Sequence, residues 1–261
     1  MLTITHVDTS TGVIAPVHEL AALARRYGAL SAVDGICATG ACEFRQDDWQ
    51  VDICLTGSQK AIGVPPGLAL IMVSGEAMAL FGQRKTPVAS YYCDINNWLP
   101  VMRAYEQDKA AYFATPAVNL MYALDVSLGQ ILAEGMEERF ERHHRLGAAF
   151  REGMRALGLS FVAQAGVEAP TVSGMYYPHG VDAGLVGRVA AEGVTIAGGV
   201  MPGIAPSYFR VGHMGTCTPG DLLTTVGAIE RALAGAGTKV DAGAGIAAIQ
   251  RALTAKAAVQ A

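Results

Sequence analysis

Apolar residues gather in short runs over the first third of the chain and in longer, helix-spaced sets over the rest. Residues 2–7 read as a strand, and Asp8-Thr-Ser-Thr-Gly12 as a polar turn. Pro16 suits the first position of a helix, after which Val17, Leu20, Leu23, Ala24 and Tyr27 recur at helical spacing up to the stop at Gly28. Apolar runs at 29–34, 51–56 and 67–74 predict three further strands. Strand, helix, strand repetition predicts a mostly parallel sheet with helical cover. Residues 84–115, rich in tyrosine, asparagine and proline, predict an irregular segment wrapping the surface or a partner subunit. Pro116 opens a long helical pattern through Val118, Met121, Tyr122, Leu124, Val126, Leu128 and Ile131, broken at Gly135 and resumed to about Leu157.

Beyond that point the rhythm changes. Short apolar runs at 159–163, 171–177, 194–197 and 208–211 alternate with helices beginning near Asp182 and Pro219, with Thr218 as an N-cap. The expected class is therefore α/β, a partial and mostly parallel sheet in a larger domain followed by a smaller α+β C-terminal domain. The expected divisions are residues 1–135, with the linker helix, 136–235, and a tail at 236–261. In that tail alternating glycine and alanine read as loosely held chain with one short final helix.

Composition narrows the function classes. A chain of 261 residues with 51% hydrophobic and 16% charged content can bury a sizeable core. Its formal net charge of -4 leaves no basic stripe to displace counterions from nucleic-acid phosphates. Arg139, Arg142, Arg145 and Arg151 alternate with glutamates, a pattern that predicts a solvated, ion-paired helix face. The five cysteines, at 37, 42, 54, 93 and 217, follow neither zinc-ligand nor Cys-x-x-Cys spacing, so no metal site is expected and a reducing compartment is. No secretory leader and no apolar run near the roughly 18 residues of a membrane span are evident, so a cytoplasmic protein is expected. The final Ala-Ala-Val-Gln-Ala carries no peroxisomal address.

One lysine stands out. Lys60 follows the run Val51-Asp-Ile-Cys-Leu-Thr56 within Gly-Ser-Gln-Lys60-Ala-Ile-Gly-Val-Pro-Pro-Gly67. Asp34 closes the earlier run Ala29-Leu-Ser-Ala-Val-Asp34. Ligands of α/β sheets sit at the carboxyl ends of strands. An amine and a carboxylate at two such ends are what pyridoxal phosphate requires, the amine for a Schiff base and the acid to keep the pyridine nitrogen protonated. By residue type alone Lys60 also reads as a surface lysine, and Asp34 as a turn residue ahead of Gly35.

Six segments in order, Thr9-Ser-Thr-Gly12, Val33-Asp34, Thr56-Gly-Ser-Gln-Lys60, Pro65-Pro-Gly67, Tyr112-Phe-Ala-Thr115-Pro and Arg210-Val-Gly-His-Met-Gly215, resemble the class V aminotransferases of the fold type I pyridoxal phosphate enzymes. Within that family the likeness is to alanine:glyoxylate and serine:pyruvate aminotransferases, and it runs to about Ala234. The resemblance implies that Lys60 forms the Schiff base and moves the substrate's α-proton, while Asp34 pairs with the pyridinium nitrogen. It implies that Thr9 contacts the cofactor, that Gln59 lies near its phosphate and that Ile36 packs on one face of its ring. Tyr112 and Thr115 would reach across a homodimer interface to the phosphate of the neighbouring subunit's cofactor, so that active sites are shared. Arg210 would grip the substrate's α-carboxylate through two parallel hydrogen bonds.

Blander readings stay open beside these. Thr9 and Gln59 suit ordinary turn chemistry, and Ile36 suits a core. Tyr112-Phe113 suits a buried aromatic pair with Thr115 as N-cap, and Arg210 a surface ion pair. His213 reads as packed, and His143-His144 as solvated. The implied reaction is a ping-pong amino transfer between a small amino acid, alanine or serine, and an oxo acid, glyoxylate or pyruvate. Alternatives are 2-aminoethylphosphonate:pyruvate transamination or a catalytically incompetent fragment; Gln59 stands where desulfurases typically place a histidine. The likeness begins partway through the family's cofactor domain, without its first strands, glycine-rich phosphate turn or ring-stacking aromatic residue. An N-terminally truncated relative with an exposed edge at residues 2–7 or at another strand is therefore expected.

Overall fold

A computed structural model describes residues 1–255; the last six residues, where the absence of a targeting address was expected, lie outside the described residues. The chain opens with β1 (Leu2–Thr5), a small hairpin of β2 (Val7–Asp8) and β3 (Val13–Ile14), and α1 (Val17–Arg26). Next come β4 (Ser31–Asp34), β5 (Ile53–Gly57) and β6 (Ala69–Val73). The main sheet has the order β1-β4-β5-β6, with β1, β4 and β5 parallel and β6 antiparallel to β5. Side-chain alternation decides its cover. Ile4, Val33 and Cys54 face one side, where Val17 and Ala21 of α1 close over them. Thr3, Thr5 and Leu55 alternate with these and are exposed. Strand β1 is an edge of this sheet, and β6 is the other.

Ser74 caps α2 (Gly75–Phe81) by accepting from the Ala77 N–H. The segment expected to be irregular instead contains α3 (Ile95–Tyr105), capped by Asp94, whose carboxylate accepts from the Asn96 N–H. Trp98 anchors it: its indole N–H donates to the Tyr92 carbonyl at 2.7 Å, and its ring meets Phe113 edge-on at 5.2 Å. Pro100 lies inside this helix, which is why composition alone pointed away from one.

Helices α4 (Val118–Glu134) and α5 (Met136–Ala156) meet at Gly135, whose φ of +88° breaks the run as its residue type predicts. On α4 only Leu124 and Ile131 are buried, while Met121, Tyr122, Val126 and Leu132 are exposed. The second sheet is antiparallel, β7 (Val172–Tyr176), β9 (Tyr208–Gly212) and β8 (Ala197–Gly198), with β9 central. Between its strands lies α6 (Gly184–Ala191). The run at 159–163 yields no strand, only a bridge between Phe161 and Met175. Thr218 caps α7 (Pro219–Gly235) in a reciprocal capping box with Asp221, as its position predicted.

The expected short final helix is present, but the tail that carries it is not loosely held. Helix α8 (Ala244–Thr254) lies against α5, with Ile249 fully buried beside Phe150, Met154 and Leu233. Small residues make the approach possible, since a Cβ on Gly153 would lie 2.7 Å from the Ile249 side chain. The buried Glu230 carboxylate accepts from the Gly243 and Gly245 N–H groups at 3.1 and 2.9 Å, neutralising the helix's N-terminal donors. Ile249→Ala should therefore lower unfolding stability by about 2–4 kcal/mol, measured by urea denaturation; an unchanged midpoint would remove α8 from the core.

Candidate active site

Because β1, β4 and β5 run parallel, the segments that follow them emerge on one edge of the sheet: residues 6–12, 35–42 and 58–68. That edge is where open α/β sheets place ligands. Asp34 ends β4, with one carboxylate oxygen accepting from the Ile36 N–H at 3.0 Å, so the turn reading of this residue is realised as well. Its neighbour in the register is Leu55 on β5, and the Gly35 N–H donates to the Leu55 carbonyl at 2.9 Å. Lys60 is half-buried in the turn just beyond β5.

Ser58 shapes that turn. Fully buried, it donates through its hydroxyl to the Pro65 carbonyl at 2.8 Å and accepts from the Leu68 N–H at 3.3 Å. Its carbonyl accepts from the Val64 N–H, and the Lys60 carbonyl accepts from the Gly63 N–H. Gln59 is exposed and folds back over Gly57, where a Cβ would sit 2.7 Å from the Gln59 Oε1. Ile36 packs with Val7, Cys37 and Val172.

Arg210 comes from the second sheet. Its Nε donates to the Gly198 carbonyl at 2.9 Å and its Nη1 to the Thr9 carbonyl at 3.0 Å. Two predicted site residues 201 positions apart are thus in direct contact, and Arg210 forms no ion pair among the described residues. The Thr9 turn is ordered by Asp8, whose carboxylate accepts from the Ser10 N–H and the Thr11 hydroxyl. Burial pushes the Asp8 carboxyl up, but those hydrogen bonds outweigh it and hold it below the usual range. The Tyr208 hydroxyl donates to the Ser10 carbonyl at 2.7 Å and accepts from the Val200 and Met201 N–H groups at 3.0 Å.

Tyr112 and Thr115 are not brought to this edge by any hydrogen bond or ring contact among the described residues. Tyr112 is 76% exposed, so the buried-pair reading fails; only Phe113 packs, against Tyr91 and Trp98. Thr115 is also exposed and caps nothing, because Ala117 occupies the cap position of α4.

The arginine-rich face of α5 is the larger correction. Arg139 is 3% exposed and donates to the Gly40 carbonyl at 2.5 Å, the Ala61 carbonyl at 2.6 Å and Glu134 at 2.6 Å. Arg142 pairs with Glu134 and donates to the Gly215 and Cys217 carbonyls. Hydrogen bonds from Arg142, joined by Arg139, hold the Glu134 carboxyl below its usual range against a smaller upward push from burial. Among the four arginines only Arg145 is exposed as expected; Arg151 donates inward to the Ala169 carbonyl. His143, expected to be solvated, is fully buried: its Nδ1 donates to the Arg139 carbonyl at 2.7 Å and its Nε2 accepts from the Gly215 N–H at 2.9 Å. His213 is packed as expected, between Ser173 and the Pro170 carbonyl. These helix residues carried no motif of their own; the unusual pairing of Glu134 across Gly135 with arginines five and eight positions on was the available signal.

The fold is α/β, with Asp34 at the end of β4, Lys60 in the turn beyond β5 and Arg210 on β9. The class-V aminotransferase family model matches residues 1–217. The chain is 37% identical to alanine–glyoxylate aminotransferase 1 of Saccharomyces cerevisiae, covering 82% of this chain and 57% of that protein. It is 37% identical to L-aspartate–glyoxylate aminotransferase of Paracoccus denitrificans, covering 94% and 61%. Among solved structures, pyridoxamine–pyruvate aminotransferase of Mesorhizobium loti superposes with a TM-score of 0.88 at 32% identity, covering 96% of this chain and 64% of that one. The chain belongs to the class-V aminotransferase family and spans about three fifths of the length of these relatives.

Burial pushes His143 and His6 down to about 4 and His213 to about 3, each below the ordinary 6.5. The unfolded chain therefore binds the extra protons, so these groups contribute fully above pH 6.5 and less as pH falls toward 4. Unfolding stability should drop by up to about 1.4 kcal/mol per pH unit for each histidine in that window. Urea titrations at pH 7 and pH 5 measure it; equal stabilities would contradict the burial of these rings.

Proposed function

We propose that this chain carries the lysine, acid and arginine of a pyridoxal phosphate-dependent amino transfer between alanine or serine and glyoxylate or pyruvate. The observation that supports it most is the emergence of Asp34 and Lys60 from adjacent parallel strands at one sheet edge, with Arg210 fixed beside Thr9. The donor set suits that cofactor at its ring and amine ends. At the phosphate end this chain offers Gln59 from the same turn.

When bound, pyridoxal phosphate supplies an electron sink for the bond broken at the substrate's α-carbon. Lys60 Nζ would hold the cofactor, and as an amine it would be the group able to carry a proton to and from the α-carbon. The Asp34 carboxylate would hold the ring nitrogen, with one oxygen left over from the Ile36 N–H. Ile36 offers an apolar surface to one ring face, and the Thr9 hydroxyl a polar contact. Arg210 spends Nε and one Nη1 hydrogen on carbonyls, leaving its remaining N–H groups for the α-carboxylate and fixing their direction in advance.

Tyr112 and Thr115 are assigned to the site of a second copy in a homodimer. The exposure of Tyr91, Tyr92, Tyr112, Tyr122 and Leu132 supports a partner-facing surface. A cytoplasmic location is proposed with it; among the described residues no helix is long and apolar enough to cross a membrane. A second reading, in which this chain alone turns over no substrate, is supported by its coverage of only 57–64% of the relatives' lengths.

Addition of pyridoxal phosphate to the purified chain should give a yellow band that Lys60→Ala abolishes. A band unaffected by Lys60→Ala, or none, would sink the assignment. Alanine:glyoxylate turnover abolished by the same substitution supports the first reading, and a bound but inactive chain the second. Arg210→Lys should raise KM for the amino acid about 10- to 100-fold, the equivalent of a lost charge-assisted bidentate contact, with kcat less affected. An unchanged KM in steady-state assays would remove Arg210 from the carboxylate.

A further inference from the structure

A short stretch at the start of α5 touches every segment that carries a candidate catalytic group. Arg139 binds the Gly40 carbonyl, on the loop that follows Asp34, and the Ala61 carbonyl, on the residue after Lys60. Arg142 donates to the Gly215 carbonyl and His143 accepts from the Gly215 N–H, on the loop that follows Arg210. Gly215, with φ of +78°, rests on the lysine turn: a Cβ there would lie 3.6 Å from the Lys60 and Ala61 carbonyls.

We propose that Arg139 is a positioning residue that fixes the spacing between the loops carrying Asp34 and Lys60 by bridging their backbones with one guanidinium. This rests on the roles proposed above for those two residues. Three observations carry it. First, the bridge is stiff at both feet. Ala61 is fully buried beside Lys60, while the Gly40 loop is wound back toward Asp34 by bonds from the Ala38 and Thr39 N–H groups to the Gly35 carbonyl at 3.0 and 2.8 Å. Second, each nitrogen of the fork is engaged, with Nε, Nη1 and Nη2 aimed at different chain segments. Glu134 supplies the counter-charge, and the remaining buried N–H demand is met by carbonyls of two different loops, which ties both loops to one group. Third, the planar guanidinium holds its donors in a fixed relation, so moving one loop moves the other; an ammonium on a flexible stem imposes no such relation.

The coupling is testable without cofactor. In the unaltered, cofactor-free chain, hydrogen exchange at the Thr39 and Cys42 amides should report the same opening free energy as at Gly63 and Val64. In Arg139→Lys, which keeps the charge beside Glu134, exchange in both loops should quicken at least about tenfold. Independent opening of the two loops, or quickening in one alone, overturns the proposal.

With pyridoxal phosphate added, Arg139→Lys should shift the pH midpoint of the lysine-dependent visible band by about half a unit or more. Ile249→Ala, a destabilised control remote from the site, should leave that midpoint in place. A midpoint unchanged in Arg139→Lys, or displaced equally in the control, makes Arg139 merely structural. Should Arg139→Lys not fold, the exchange comparison in the unaltered chain still decides the coupling. If the unaltered chain shows no lysine-dependent band, the parent reading fails and the catalytic role with it, whereas loss of coupled exchange defeats this proposal alone.

Discussion

A buried guanidinium holds this molecule together at its centre. Arg139 sits almost entirely out of water, and desolvating such a charge costs several kcal/mol unless strong partners replace the solvent. Glu134 supplies the counter-charge from the other side of Gly135, so the break between α4 and α5 lets the last turn of one helix face the first turn of the next. The sheet loops supply two carbonyls. Removing Glu134 would strand the Arg139 charge out of water, a loss of about 3–5 kcal/mol where buried pairs have been broken, whereas Glu134 keeps Arg142 when Arg139 is lost. The arrangement ties the main sheet's loops, the long helices and the loop after β9 to one point.

Much of the parallel sheet was legible because its strands end abruptly. Asp34 closes one apolar run and Lys60 stands in the small, polar turn just past another, so both mark the carboxyl ends of strands. Thr218 and Gly135 were equally plain, since caps and positive-φ breaks depend on neighbours within a few residues. Arg139, Arg142 and His143 were not legible. Spaced three and four apart among glutamates they resemble a solvated face, and their burial is decided by Gly40, Ala61 and Gly215, residues that only folding brings near.

Small residues misled in the other direction. Glycine and alanine around α8 resemble slack chain, yet Gly153 and Gly245 let two helices approach closely enough to bury Ile249 completely. The aromatic segment before α4 hid a helix because its stability comes from Trp98 meeting Tyr92 and Phe113 rather than from helical propensity. What α4 leaves uncovered, together with Leu55 and Ile71 on the open face of the main sheet, is more apolar surface than scattered side chains would give. Such faces are consistent with a chain that spans about three fifths of its relatives' length.

The Tyr208 phenol has a consequence of its own. Its oxygen accepts two backbone N–H bonds from residues 200 and 201 while its proton goes to the Ser10 carbonyl. Accepting those bonds polarises the hydroxyl and strengthens its donation, so the three contacts reinforce one another. Thr9, next to Ser10, is the carbonyl against which Arg210 is set. A change in the loop around Val200 is therefore felt at Arg210 through two hydrogen-bonded turns, although that loop's own N–H groups never touch the guanidinium.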